Sequence, residues 1–364
     1  MTTTAPVDLV TGAFSYSGSY ITQRLLDAGR RVRTLSFHPR RPHPLQASVE
    51  ALPYRFDDPG ALARSLEGVS TLYNTYWVRF DHGQTRFRQA IERSAALFAA
   101  AQQAGIERIV HLSITNPSID SPLPYFRGKA LVEDALTHAG VPYSIVRPTW
   151  IFGGDHDVLV NNIAWILRHT PVFPVPGSGA YPVQPVHVED LARICTQAGQ
   201  AGENIVIDAA GPETMAFEKL VTLIRDAVRA RAVILHVPPP VMRVAARALG
   251  LLVHDVVLTP DEIDGLMAGL LASDEPPLGK ISSSDWLEHT GGSVGRRYGN
   301  ELQRHFAPTA DTATRRSRRD PQAVTRPPLS DRSSQIRARG ASGPGRPQRP
   351  SEGDDTRPVG GSSG

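Results

Sequence analysis

Val7 to Thr11 is a short, mostly apolar run that feeds a turn rich in small residues, Gly12 to Gly18. Behind the turn, Tyr20, Ile21, Leu25 and Leu26 recur at helical spacing as far as Ala28-Gly29, where the glycine stops the helix. This strand–turn–helix start constrains the chain most strongly, because the alternation then repeats. Arg31 to Leu35, Leu52 to Phe56, Val69 to Asn74, Arg108 to Ser113, Tyr143 to Arg147 and Asn204 to Asp208 read as further strands. Helical patterns fall between them at Pro59 to Glu67, Arg86 to Ala104 and Phe126 to His138. Strands alternating with helices predict an α/β fold, a doubly wound parallel sheet with helices on both faces. Ligands of such sheets bind beyond the carboxyl ends of the strands.

The pattern changes after Gly211. Phe217 to Arg229, Val241 to Val253 and Asp261 to Leu271 read as helices, and Pro238-Pro239-Pro240 breaks the chain between the first two. These helices predict a smaller, mostly helical lobe over the crevice. From Ala307 to Gly364 the chain is rich in Arg, Pro, Ser and Gly with almost no large apolar residues, and it is expected to be disordered.

That tail also carries the basic charge. It holds 11 Arg against 6 Asp and Glu, a net of +5, so the remainder of a chain with net charge +3 is close to neutral at −2. Nothing there suggests a nucleic-acid-binding body. The single cysteine, Cys195, excludes an internal disulfide and a cysteine-based zinc site, and no metal is expected. No apolar run approaches about 18 residues, so no membrane span is predicted. Met1 to Pro6 carry no basic, apolar leader pattern, and a cytoplasmic location is the default expectation. Pro240 to Val253 is amphipathic, and peripheral contact with a membrane or partner is an alternative to simple packing.

The turn Thr11-Gly12-Ala13-Phe14-Ser15-Tyr16-Ser17-Gly18 resembles the Thr-Gly-x-x-Gly-x-x-Gly motif of extended and atypical short-chain dehydrogenase/reductases, with Ser15 in place of the middle glycine. Gly12 suits the tight turn, Gly18 suits close helix–strand packing, and the helix N-terminus suits a pyrophosphate. The Cβ of Ser15 is expected to crowd the phosphate approach. Tyr125-Phe126-Arg127-Gly128-Lys129 looks like the Tyr-x-x-x-Lys pair of that family, and Lys129 is one of only three lysines, with Lys219 and Lys280. Positions i and i+4 share a helix face, so the lysine is expected to lower the tyrosine pKa. Ser113, or alternatively Thr115, would orient a substrate carbonyl.

The resemblance implies a Rossmann-type NAD(P)-binding domain over 5–210, with substrate-lobe segments from about 150–190, a substrate lobe over 211–306 and the tail over 307–364. After the second strand, Leu35-Ser36-Phe37-His38-Pro39-Arg40-Arg41 lacks the acid that NAD-preferring relatives place there. Ser36, His38, Arg40 and Arg41 suit the 2′-phosphate of NADP, with NAD the alternative. Asp57 is expected to face the adenine or to cap a helix. Asn74 ends the fourth strand in the crevice, and Pro148 belongs to an Arg-Pro-x-x-x-x-Gly-like segment beside the nicotinamide. The cofactor residues are therefore Gly12, Phe14, Ser15, Tyr16, Gly18, Ser36, His38, Arg40, Asp57, Asn74, Lys129 and Pro148. The catalytic residues are Ser113, Tyr125 and Lys129.

His187 reads as a structural helix-start residue or as a substrate contact. Tyr76, Trp77, Phe80, Trp150, Phe152 and Tyr181 read as core or as the wall of an apolar pocket. The sequence looks closest to the atypical branch that holds NmrA-like proteins and the nucleotide-binding accessory subunit of respiratory complex I. The implied function is hydride transfer between nicotinamide and a small carbonyl or alcohol. The short spacing from Ser113 to Tyr125 favours this over nucleotide-sugar epimerisation or dehydration. A non-catalytic dinucleotide-binding regulator or assembly protein is the alternative. A small-molecule substrate and a family-type homodimer are the implied partners.

Overall fold

The computed structural model describes residues 6–306 apart from 41, 84 and 155, so the expectations for Arg41 and for the tail over 307–364 lie outside the described residues. The chain begins β1 (Val7–Thr11), α1 (Tyr16–Asp27), β2 (Arg31–Ser36), β3 (Val49–Pro53), α2 (Pro59–Ser65), β4 (Val69–Asn74) and α3 (Phe87–Gln103). It continues β5 (Arg108–Leu112), α4 (Pro124–Thr137), β6 (Tyr143–Pro148), β7 (Trp150–Phe152), α5 (Leu159–His169), β8 (Val172–Pro176), β9 (Pro182–Val183), β10 (Pro185–His187) and α6 (Val188–Ala198). The last elements are β11 (Ile205–Ala209), β12 (Met215–Ala216), α7 (Phe217–Ala227), β13 (Val233–Val237), α8 (Pro239–Val253), α9 (Pro260–Met267), α10 (Ser283–Thr290) and α11 (Glu301–Phe306).

Seven parallel strands form the central sheet in the order β11-β6-β5-β4-β1-β2-β3. The strand order reverses between β1 and β4, which opens a crevice at their carboxyl ends. Alternate side chains of each strand face opposite layers. Leu9 packs with Leu62, Leu97, Phe98, Val132 and Leu136 from α2, α3 and α4. Its neighbour Val10 packs with Ile21, Leu25, Leu191 and Ile194 from α1 and α6. Burial on both faces is why these strands read as nearly continuous apolar runs.

The structure corrects two local expectations. The third strand is Val49–Pro53 rather than Leu52 to Phe56, with Val49 beside Val32 and Leu52 beside Leu35. Tyr54 and Phe56 favour strands by type, but they leave the sheet to join other aromatic rings. Pro53 is tolerated because β3 is an edge strand. The triple proline starts a helix rather than breaking the chain: Pro239 and Pro240 open α8, where their missing amides have no intrahelical acceptor to lose.

A separate core joins α5, α7, β8 and β10's surroundings, and Trp150, Phe152, Tyr181 and Phe217 are buried within it rather than lining an open pocket. β8 and β13 add a parallel strand pair to this mostly helical region. Cys195 is 1% exposed in α6, and burial pushes its thiol up to about 12. The native protein is therefore expected to resist alkylation near neutral pH and to react once unfolded, as mass spectrometry after iodoacetamide treatment would register.

Candidate functional site

The glycine turn leads into α1 with its backbone tightly packed. Gly12 has φ of +71°, a region open mainly to glycine. A Cβ on Gly18 would stand 2.1 Å from the Gly12 carbonyl oxygen, so only glycine permits this approach of α1 to the turn. The Ser15 hydroxyl donates to that same carbonyl at 2.6 Å. The side-chain oxygen thus folds back into the turn, while the Cβ stays where the backbone puts it. Ser15 is the N-cap of α1 but makes no side-chain cap bond, so the amides of Tyr16, Ser17 and Gly18 keep no capping acceptor. Such a terminus suits an anion. The side chains of Phe14 and Tyr16 turn elsewhere. The Phe14 ring packs on His43, and the Tyr16 hydroxyl donates to the Gly153 carbonyl at 2.6 Å.

Beyond β2, the Ser36 hydroxyl accepts from the His38 amide at 3.0 Å, which sets the turn carrying His38 and exposed Arg40. Asp57 is exposed after β3, and the α2 cap is made by its neighbour Asp58. Phe37, Tyr54, Phe56 and Tyr76 pack as one aromatic cluster across the ends of β2, β3 and β4. From α3, the Arg93 guanidinium lies 5.2 Å from the Phe37 ring centre and 5.3 Å from that of Phe56. It also donates to the Tyr76 hydroxyl at 3.3 Å. A cation is thus held next to the turn that follows Ser36.

At the β4 and β5 ends the polar groups are shared closely. Asn74 Oδ1 accepts from the Thr11 hydroxyl and from the Tyr76 amide, and its Nδ2 meets His111 Nδ1 at 3.1 Å. Burial, with the nearby Lys129 charge, holds His111 well below the usual imidazole range, so it is neutral. Ser113 is 3% exposed, its amide bonds Val146, and its hydroxyl has no partner among the described residues. Thr115 instead gives its hydroxyl to Asp208 at 3.0 Å. Of the two hydroxyls considered, Ser113 carries the unspent one. The Pro148 carbonyl accepts from the Thr115 amide at the end of β6.

Tyr125 and Lys129 lie in α4 as expected, but their surroundings differ from the expectation. Lys129 Nζ donates to the Leu112 carbonyl at 2.8 Å and stands 4.8 Å from the Trp77 ring centre. Burial lowers its pKa to about 7. The Tyr125 phenol is pushed above its usual range by burial, with Glu262 adding to the rise and Arg79 opposing it. The predicted lowering of this phenol by Lys129 is therefore corrected. Arg79 and Glu262, paired at 2.6 Å, are its charged neighbours.

Trp77 touches the whole helix face. Its ring meets Tyr125 edge-on at 5.9 Å, and a Cβ on Gly128 would lie 2.9 Å from the indole. Glycine inside a helix costs about 1 kcal/mol relative to alanine, and here it makes room for the indole. His187 caps α6 through Nδ1, which accepts from the Glu189 amide, in keeping with its helix-start reading.

Sequence reasoning missed three contributors: His111, Trp77 as the partner of Lys129, and Arg93. His111 alternates with apolar residues inside a strand and looks like filler. Trp77 and Arg93 reach the site from other elements, and no local pattern shows such contacts.

Residues 12–161 match the NAD(P)H-binding family model. The chain is similar to subunit 9 of the mitochondrial NADH dehydrogenase [ubiquinone] 1 alpha subcomplex of Arabidopsis thaliana, 24% identical over 287 residues that cover 74% of this chain and 71% of that protein. It is 28% identical to the photosystem II assembly factor Ycf39 of Cyanophora paradoxa, over 40% of this chain and 46% of the factor. The fold resembles that of NADPH-dependent quinone oxidoreductase QOR2 from Escherichia coli complexed with NADPH, with TM-score 0.63, 19% identity, and coverage of 78% of this chain and 99% of that one. Residues 12–161 are thus similar to NAD(P)H-binding domains, on a fold shared with that oxidoreductase. No helix among the described residues is long and apolar enough to cross a membrane.

Proposed function

We propose that this chain binds NADP(H) across the β1–β4 crevice and acts as an oxidoreductase on a small carbonyl or alcohol. The observation that carries the reading is the uncapped glycine turn, where a Cβ on Gly18 would collide with the Gly12 carbonyl. It lies at the same carboxyl end of the parallel strands as the unspent hydroxyl of Ser113.

In this reading Gly12, Phe14, Ser15, Tyr16 and Gly18 hold the pyrophosphate through the turn and its amides. Ser36, His38 and Arg40 meet the 2′-phosphate, with Arg93 adding a cation beside them, and Asp57 faces the adenine. Asn74 and Pro148 flank the nicotinamide, and Lys129 holds its ribose. When bound, the nicotinamide supplies or accepts a hydride. Ser113 orients the substrate oxygen by donating a hydrogen bond. Tyr125 delivers the proton, and because burial keeps its phenol protonated, it serves better as an acid in reduction than as a base. The substrate is a small molecule, the assembly a homodimer, and the place of action the cytoplasm.

One observation favours a second reading, dinucleotide binding without turnover. Trp77 lies against Tyr125, Gly128 and Lys129 together, and Lys129 is spent on the Leu112 carbonyl. The relatives named as a respiratory-chain subunit and an assembly factor agree with it. No particular residue favours a nucleotide-sugar substrate.

Titration with NADPH and NADH, followed by nicotinamide fluorescence, tests the proposal. NADPH is expected to bind more tightly, and Arg93→Leu to weaken NADPH by roughly tenfold while leaving NADH nearly unchanged, the loss of about one charge-assisted contact. If neither nucleotide binds, the dinucleotide reading fails. Binding without turnover of any carbonyl or quinone substrate leaves the second reading standing.

A further inference from the structure

We propose that the outer face of α8, with the outward side chains of β13, seats this protein on an anionic lipid surface. Met242, Ala246 and Gly250 bury the inner face of α8. On the other face Val241, Val244, Leu251 and Leu252 are 51%, 70%, 74% and 74% exposed. Their spacing, with Ala248 between them, keeps them on one stripe along the helix. A helix apolar on both faces is ordinarily buried on both faces.

The exposure continues along the strand that leads into the helix. Val233 and Leu235 of β13 are exposed, as is Val172, the β8 residue in register with Val233. Seven of the thirteen exposed large apolar residues among those described fall in these three elements, so the exposure is concentrated rather than scattered.

The charges on α8 itself are basic, while acids beside the face are held in pairs, Asp264 with Arg243 and Glu218 with His236. α8 contains no acidic residue, and its two charged residues, Arg243 and Arg247, are one turn apart along one margin. Arg243 is paired with Asp264 at 2.6 Å, while Arg247 makes no ion pair among the described residues. Arg229 and Arg231 stand exposed just before β13 and are also without ion pairs among the described residues. Arginine lays its stem along apolar surface and reaches outward with its head, an arrangement suited to a lipid headgroup layer.

The composition points to lipid rather than to protein. Protein interface cores favour Tyr, Trp, Phe and Met. The exposed stripe here holds only Val, Ala and Leu, which acyl chains accept without specific partners. At 15 residues, α8 would lie in the interface plane rather than cross it.

The test is sedimentation of the full-length protein with phosphatidylcholine vesicles, with and without phosphatidylglycerol. The wild type is expected to sediment with the anionic vesicles. Leu251→Ser/Leu252→Ser, a double change at exposed positions, is expected to weaken binding by at least roughly tenfold with an unchanged melting temperature. Arg247→Glu is expected to weaken binding to the anionic vesicles alone. The proposal is overturned if no vesicle binds. It is equally overturned if the double variant sediments as the wild type does, since the Arg-rich tail would then carry the binding. It also fails if light scattering shows a dimer that the double variant dissolves while vesicles are ignored, because a second copy would then cover the face.

Discussion

Replacing Gly18 with valine is expected to abolish NADPH binding. The 2.1 Å approach of a Cβ to the Gly12 carbonyl oxygen, and 2.9 Å to its carbon, is against backbone and has no flexible group to yield. Either α1 must back away from the turn or Gly12 must leave its conformation. Both displace the uncapped amides of Tyr16, Ser17 and Gly18 from wherever they meet the pyrophosphate. Each hydrogen bond to a charged group is worth about 1.5–3 kcal/mol, so losing two weakens binding by roughly a hundredfold or more. Overpacking also lowers stability by about 1–3 kcal/mol, which a thermal melt would separate from complete unfolding. Isothermal titration gives the affinity, and an undiminished value for a folded Gly18→Val protein would remove the turn from the binding site. Ser15→Gly is the control. It deletes one hydroxyl bond to Gly12 and no phosphate contact, so its effect should stay within about 1 kcal/mol.

These two substitutions mark where the sequence was legible. Gly12 and Gly18 speak through backbone sterics, which depend only on their neighbours in the chain, and their places in the turn follow from spacing. The part played by the Ser15 hydroxyl was not legible, because a rotamer decides it. One rotamer turns that hydroxyl away from the turn, and another closes it onto the Gly12 carbonyl. The sheet was legible because burial on both faces writes itself into strands such as Arg108–Leu112 and Tyr143–Pro148. The third strand slipped because β-propensity and strand membership part company at Tyr54 and Phe56. Those rings prefer a pleated surface, yet they pack outside the sheet with Phe37 and Tyr76, which lie just past the ends of β2 and β4. The pair Tyr125 and Lys129 was placed correctly on one helix face, but what surrounds each was not. Glu262 and Arg79 reach Tyr125 from distant positions, and Trp77 reaches Lys129. Long-range electrostatics of this kind has no local pattern.

Lys129→Met is expected to make the protein less dependent on pH while weakening its hold on the dinucleotide. Lys129 is 3% exposed, and burial lowers it from the ordinary 10.5 to about 7. Between those values the unfolded chain keeps the lysine proton and the folded chain has lost it. The unfolded state then binds more protons, so stability rises with pH through this window, and the full penalty applies below about 7. A shift of this size corresponds to a few kcal/mol, about 1.4 for each unit. Methionine fills similar space without the penalty. It forfeits the bond to the Leu112 carbonyl, about 1 kcal/mol once the amine is neutral, while the cation's contact with the indole exists only where Lys129 is protonated. The variant should therefore exceed the wild type in denaturant melts near about pH 6, and the difference should shrink to about 1 kcal/mol or less near about pH 9.5. A buried lysine that lowers stability at neutral pH is hard to explain by packing. A fall in NADPH affinity of roughly tenfold or more in the same variant would tie that cost to the cofactor. A stability difference that stays constant with pH would mean that Lys129 keeps its proton inside the fold. Unchanged NADPH affinity would leave the residue only its bonds to Leu112 and Trp77.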